Sequence, residues 1–234
     1  MRINNVFTCQ EKVIGSASVK LRKLSVAVIG AGGIGCNTLL LLGQLSVGKV
    51  TFVDPDVIEM CNLSRQPLYS EKDVGKLKVT VAKEKLSKQF PSTKFIAVND
   101  ILEETNSAKL LKKVDVVLDC TDNYAARRVI NDFCQKNKIP WIYAGAIRDT
   151  CMVATFLPKR SNGFARFAPP VCEKSCSEEG VIATTTSFAA TLQVQELINL
   201  IAGKPKLNGK LLHVNLSTLR FEIFSLKTSK NWVK

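Results

Sequence analysis

Residues 26–35 read VAVIGAGGIG, and what this stretch can be decides the fold. An apolar run leads into Gly30, Gly32, Gly33 and Gly35, and a second apolar run begins at Ile34. A strand, a glycine loop and a helix in that order aim backbone N–H groups and the positive end of a helix at an anion, with no Cβ to block its approach. The pattern reports phosphate without saying which nucleotide carries it. No charged residue occurs between Lys23 and Lys49, a run long enough to span a bilayer, but its six glycines and Asn37, Thr38 and Gln44 fit a strand, a loop and a buried helix better.

Outward from this stretch, short β-branched runs at 26–31, 49–54, 94–99, 115–120 and 140–144 alternate with helical patterns at 34–46, 76–89, 104–112 and 124–137. That alternation predicts parallel strands joined by right-handed crossovers. DVVLDC at 115–120 is apolar at consecutive positions, as a strand covered on both faces should be. The second half changes character. Residues 151–157 read as a further strand, 158–183 as a loop region with two cysteines, and 184–202 as a mostly apolar helix ended by Gly203 and Pro205. The stretch 210–226 alternates as a hairpin would, and 227–234 reads as a frayed tail.

Composition bounds the rest. With 234 residues, 46% of them hydrophobic, the chain can bury one core, and one domain is expected. A net charge of +13 suits an acidic protein partner or a polyanion and identifies neither. Eight cysteines spread from Cys9 to Cys176 lack the dense spacing of a secreted disulfide scaffold, so a reducing cytoplasm is expected. The opening MRINNVFTCQEK lacks the apolar segment of a secretory signal, and no membrane association is expected.

The residues after the second strand discriminate between nucleotides. Asp54 ends that strand, where a carboxylate can accept both hydroxyls of an adenosine ribose. NAD and ATP both predict this much. VDPDVIEMCNLSRQ at 53–66, with GKLK at 75–78, then adds Asp56, Asn62, Arg65 and Lys78, for which hydride transfer has no evident use. Arg65 can fork onto phosphate oxygens, Lys78 can place a point charge on them, and Asn62 can orient either the loop or the nucleotide. The bland alternative is a solvated polar loop. In LDCTDN at 118–123, Asp119 lies within the strand and Asp122 just beyond its carboxyl end, the rim where open α/β sheets bind ligands. A lone carboxylate there suits Mg²⁺, and capping of the following helix is compatible with it.

Together GAGGIG, DPDVIEMCNLSRQ, VGKLKV and DCTDNYAARRVIND resemble the ThiF/MoeB/HesA family, which shares its adenylation fold with the ubiquitin-activating enzymes. The resemblance covers about residues 10–226. It implies a Rossmann-like mixed eight-stranded sheet, parallel in its N-terminal half and antiparallel in its C-terminal strands, usually in a homodimer. Residues 1–146 would form the nucleotide-binding half, 147–226 the carrier-binding and dimer half, and 227–234 the tail of one adenylation domain. The implied activity is ATP- and Mg²⁺-dependent adenylation of the C-terminal carboxylate of a small ubiquitin-fold protein ending in Gly-Gly. Gly30, Gly32, Gly33, Gly35, Asp54, Asp56, Asn62, Arg65, Gln66, Lys78, Asp122 and Asn123 would hold ATP, and Asp122 would bind Mg²⁺. Arg65, Lys78, Asp122 and Cys176 would be catalytic. Such chemistry is mostly positioning and charge neutralisation, and the lone His213 reads as a strand residue.

The chain departs from the family in two places. Where many relatives carry the first of two zinc-binding CxxC pairs, it reads GFARFAPP, and no cysteine follows Cys176. Cys172 and Cys176 supply two thiolates where a closed zinc site takes four ligands, so structural zinc is not expected. Cys176 matches the loop cysteine that forms a thioester or persulfide in some branches, with Cys172 as a resolving partner, although Glu173, Glu178 and Glu179 disfavour its thiolate. At the N-terminus, RINNVF keeps Arg2 but places Asn5 where relatives carry a second arginine that reaches the neighbouring subunit's phosphates. No rhodanese segment follows residue 226, so an external sulfur donor is expected. Three alternatives stay open: a catalytically silent subunit of a heteromeric activating enzyme, a relative that adenylates a modified tRNA base, and an NAD oxidoreductase.

Overall fold

Val26 and Val28 face one side of their strand, Ala27 and Ile29 the other, and all four are buried. A strand covered on both faces belongs inside a parallel sheet. The computed structural model, which describes residues 7–158, 164 and 179–226, places this strand, β1 (Ser25–Ile29), third in a sheet of eight. Across the sheet the order is β3 (Lys94–Val98), β2 (Lys49–Val53), β1, β4 (Val116–Asp119), β5 (Trp141–Ile147), β6 (Thr150–Phe156), β7 (Lys210–Asn215) and β8 (Arg220–Ser225). The first five of these run parallel, and β6, β7 and β8 continue antiparallel.

Helices cover both faces. On one, α3 (Gly33–Gln44), α4 (Lys78–Gln89) and α7 (Ala183–Ile201) bury Leu39, Leu86 and Leu197 against Val26, Val28 and Leu118. On the other, α5 (Glu104–Leu110) and α6 (Tyr124–Asn137), with Ile130 and the neighbouring Leu111, cover Ala27, Ile29 and Val117. Trp141 and Phe156 stack there with ring centroids 4.5 Å apart. The chain leaves β1 toward β2 and β3 and returns on the opposite side at β4, so the carboxyl ends of β1 and β4 flank the crevice where such sheets receive ligands.

The expected strands and helices are present within a few residues of their expected bounds. Two further helices, α1 (Thr8–Ile14) and α2 (Ala17–Leu21), precede β1. The first buries none of its residues and the second only Ala17, Ser18 and Leu21, too little apolar periodicity to be read from sequence. His213 lies in β7 as expected, its Nδ1 3.8 Å from Glu222 on β8. Arg2, Asn5, Cys172, Cys176, most of the 158–183 region and the 227–234 tail lie outside the described residues. No described helix is long and apolar enough to cross a membrane.

Candidate functional site

The glycine loop is shaped by backbone contacts. Gly30 has φ +96° and donates its N–H to the Val53 carbonyl at 2.8 Å, and a Cβ there would stand 2.7 Å from the Cys120 carbonyl oxygen. A Cβ on Gly35 would overlap the Gly30 carbonyl. These two glycines therefore let the loop turn and let α3 pack on it. Gly32 differs, because nothing but the Gln66 amide at 3.7 Å approaches the place a Cβ would take. No side chain caps the start of α3, which leaves its first N–H groups for an anion.

At the end of β2, buried Asp54 ties two loops together. Its carboxylate accepts the Ala31 N–H at 2.6 Å and the Asp56 N–H at 2.9 Å. Each oxygen keeps a further lone pair for a ligand. Burial pushes this carboxyl up, and the charge of Lys78 works against that shift. Lys78, the first residue of α4, is itself buried, and its ammonium meets the exposed Asp56 carboxylate at 2.6 Å. Asn62 orients its loop: its buried side chain accepts the Glu59 N–H at 3.2 Å, and its carbonyl takes the N–H groups of Arg65 and Gln66. Arg65 donates from Nη1 to the Cys61 carbonyl at 2.8 Å.

Beyond β4, Asp119 is fully buried and accepts both the N–H and the hydroxyl of Thr121, at 2.9 and 2.7 Å. Burial raises its carboxyl, and Arg127, whose Nε lies 3.7 Å away, opposes the rise. Arg127 also donates to the Thr121 carbonyl at 2.6 Å and lies over the Tyr143 ring at 5.0 Å. Thr121 is thus held from both sides, which presents the exposed Asp122 at the rim. The cap of α6 is Asn123, which accepts the Ala126 N–H at 2.9 Å. Asp122 does not cap that helix and makes no hydrogen bond or ion pair with another described residue.

These segments enclose one cavity of about 410 Å³, within the usual range for small-molecule sites. Of the residues expected to hold ATP, all but Gly35 line it; Gly35 lies beneath the loop. Cys176 lies outside the described residues. Residues 9–233 match the ThiF family. The chain belongs to that family. It is 32% identical over 210 residues to the molybdopterin-synthase adenylyltransferase of Escherichia coli K12, covering 88% of this chain and 84% of that protein. It is 33% identical over 214 residues to a probable molybdopterin-synthase adenylyltransferase of Porphyra purpurea, covering 88% of this chain and 56% of the relative. The adenylyltransferase and sulfurtransferase MOCS3 of Culex quinquefasciatus is 33% identical over 199 residues, 83% of this chain and 45% of that protein. The chain thus spans little more than half of the second relative and less than half of the third. Among solved structures, E. coli MccB with ATP superposes with a TM-score of 0.84 at 23% identity, over 97% of this chain and 73% of MccB, a likeness of fold.

In this ThiF-family chain the cavity also takes residues that the motifs do not include. Asp100 and Ile101 lie two and three residues past the end of β3, on the same rim as Asp54 after β2, and strand-end logic points to that loop. Arg127 lies one helical turn beyond Asn123, on the same side of α6. Thr186, in the first turn of α7, comes close enough that a Cβ on Gly33 would stand 2.8 Å from its methyl group. Nothing in the local sequence announces that contact. Buried Gln193 of α7 donates to the carbonyls of Asp119 and Ile142 at 2.8 and 2.9 Å and accepts the Thr38 hydroxyl at 3.0 Å, joining α3, β4 and β5 behind the cavity.

Proposed function

We propose that this chain adenylates the C-terminal carboxylate of a small ubiquitin-fold protein ending in Gly-Gly, with ATP and Mg²⁺. The observation that carries this reading is the convergence of Arg65, Lys78 and Asp122 on the cavity that also holds the glycine loop and Asp54. In this reading Asp54 accepts the ribose hydroxyls, and the loop N–H groups receive phosphate oxygens. Arg65 and Lys78 draw charge from the triphosphate as the carrier carboxylate attacks the α-phosphorus and the bond to the departing pyrophosphate breaks. No proton need be removed from the attacking carboxylate, so the site requires no general base. The free, exposed carboxylate of Asp122 fits a Mg²⁺ ion, which when bound would neutralise phosphate charge.

The same reading makes residues 1–146 the nucleotide-binding half and 147–226 the half that meets the carrier and a second subunit, in a cytoplasmic homodimer. The Cys176 thiolate would then attack the acyl-adenylate, forming a thioester and releasing AMP. The test is ATP–pyrophosphate exchange with Mg²⁺, with and without small Gly-Gly-ending proteins from the same source. Exchange that depends on one carrier and falls at least about 100-fold in Asp122→Ala supports the proposal. Tight ATP binding with no exchange for any carrier would replace it with the silent-subunit reading, for which Asn5 in place of an arginine is the specific motive.

A further inference from the structure

The two ends of the parallel strands carry different charges. At the carboxyl ends lie Asp54, Asp100, Asp119 and Asp122, at or just after the ends of β2, β3 and β4, together with Arg65, Lys78 and Arg127 of the cavity. The amino ends carry a row of lysines. Lys49 and Lys94 are the first residues of β2 and β3, neighbours in register, and Lys23 stands two residues before β1. Lys113 and Lys138 stand three residues before β4 and β5. Each of the five adjacent parallel strands is thus preceded or opened by a lysine. At the usual strand spacing the row extends about 19 Å. Four of the five are exposed and Lys49 is half-buried, and none forms an ion pair among the described residues. Asp115, one residue before β4, brings one negative charge to this rim and accepts the Ser25 N–H at 2.8 Å, so the row keeps a net positive charge.

Helix dipoles explain only part of this row. Helices that follow parallel strands end at the amino rim, where cations complement their carbonyls, and Lys138 caps α6 in this way. Lys49 and Lys94 lie five residues beyond the ends of α3 and α4, outside the last turn over which that effect acts. Among the described residues the rim also lacks the anchors of a protein interface, which are aromatic, with lysine depleted. The only aromatic among the exposed large hydrophobic residues described is Phe221, on β8 at the edge of the sheet. A row of predominantly positive point charges without aromatic anchors matches a ligand recognised by its repeating charge.

We infer that the amino rim of the parallel strands binds the phosphate backbone of a nucleic acid, without reading its sequence. The bound strand lies on the side of the sheet opposite the nucleotide cavity and leaves that cavity open. This inference does not depend on the adenylation reading.

The test is fluorescence anisotropy of a labelled, unstructured RNA of mixed sequence, titrated with the full chain at several salt concentrations. Binding is expected at about 50 mM salt and to weaken with a log–log slope near −0.7 for each phosphate contact. The triple variant Lys23→Gln, Lys49→Gln, Lys94→Gln should flatten that slope by about 2. A control that removes the same charge elsewhere, Lys72→Gln, Lys83→Gln, Arg128→Gln, should leave it nearly unchanged; circular dichroism checks that both variants fold. Absence of binding at low salt, or an equal slope in parent and rim variant, would overturn the inference. So would equal or tighter binding of polyglutamate or of phosphatidylserine vesicles, which would reassign the rim to an acidic protein or a membrane surface.

Discussion

The crevice between β1 and β4 and the hairpin of β7 and β8 belong to one sheet but are built on opposite principles. At Gly30 and Gly35 beside the crevice, backbone meets backbone with no space for a methyl group, and Asp54, Asp119 and Gln193 each bind two or more loop or strand groups. On the hairpin, β8 pairs with β7 alone, and Phe221 and Ile223 face solvent at 55% and 62% exposure. One end of the sheet is over-determined and the other permissive. Geometry that must hold reacting groups is concentrated where substitution is least tolerated.

The contrast can be broken most directly at Gly35. Gly35→Ala should cost roughly 4 kcal/mol or more, because the backbone it meets cannot yield as a side chain would. Urea unfolding reads this cost, and a loss below about 1 kcal/mol would mean the loop is softer than its contacts imply. Next comes Gln193→Leu. It strands two buried carbonyls and the Thr38 hydroxyl, and about 2–3 kcal/mol should be lost in the same measurement.

Asp73 sharpens the comparison through pH. Its carboxylate, hydrogen-bonded first by Lys85 at 2.6 Å and then by Ser70, is held well below the usual carboxylate range. A depressed folded value contributes stability above the unfolded value, near 4, and that stability is lost as pH falls further. Asp73→Asn should therefore be less stable than the parent at pH 7, with the gap closing below about pH 4; a gap independent of pH would remove the ion pair from the account. Smallest of all, Phe221→Ala should lower the unfolding free energy by no more than about 1 kcal/mol, since the ring is left largely in water apart from an edge contact with Phe188.

Much of this was legible in the sequence because it is local. Val26–Ile29 and DVVLDC are apolar at consecutive positions because both faces are covered, and the motif residues follow strand ends, where the sheet gathers them. Gln193 and Thr186 were not legible, since their partners lie more than 40 residues away in sequence and only the packing of α7 brings them together. Asn62 allowed two readings in sequence, and its side chain accepts the Glu59 N–H while the residue also lines the cavity. The short helices α1 and α2 bury too little to leave a periodic trace.

The pairing of Lys78 with Asp56 has a consequence for binding. With its side chain 7% exposed against 59% for its partner, the buried lysine is compensated by an exposed carboxylate of its own chain. Any incoming anion must displace that resident competitor, and any departing one is replaced by it. In the proposed function that anion is a phosphate, and the cost of displacing Asp56 is taken out of its affinity.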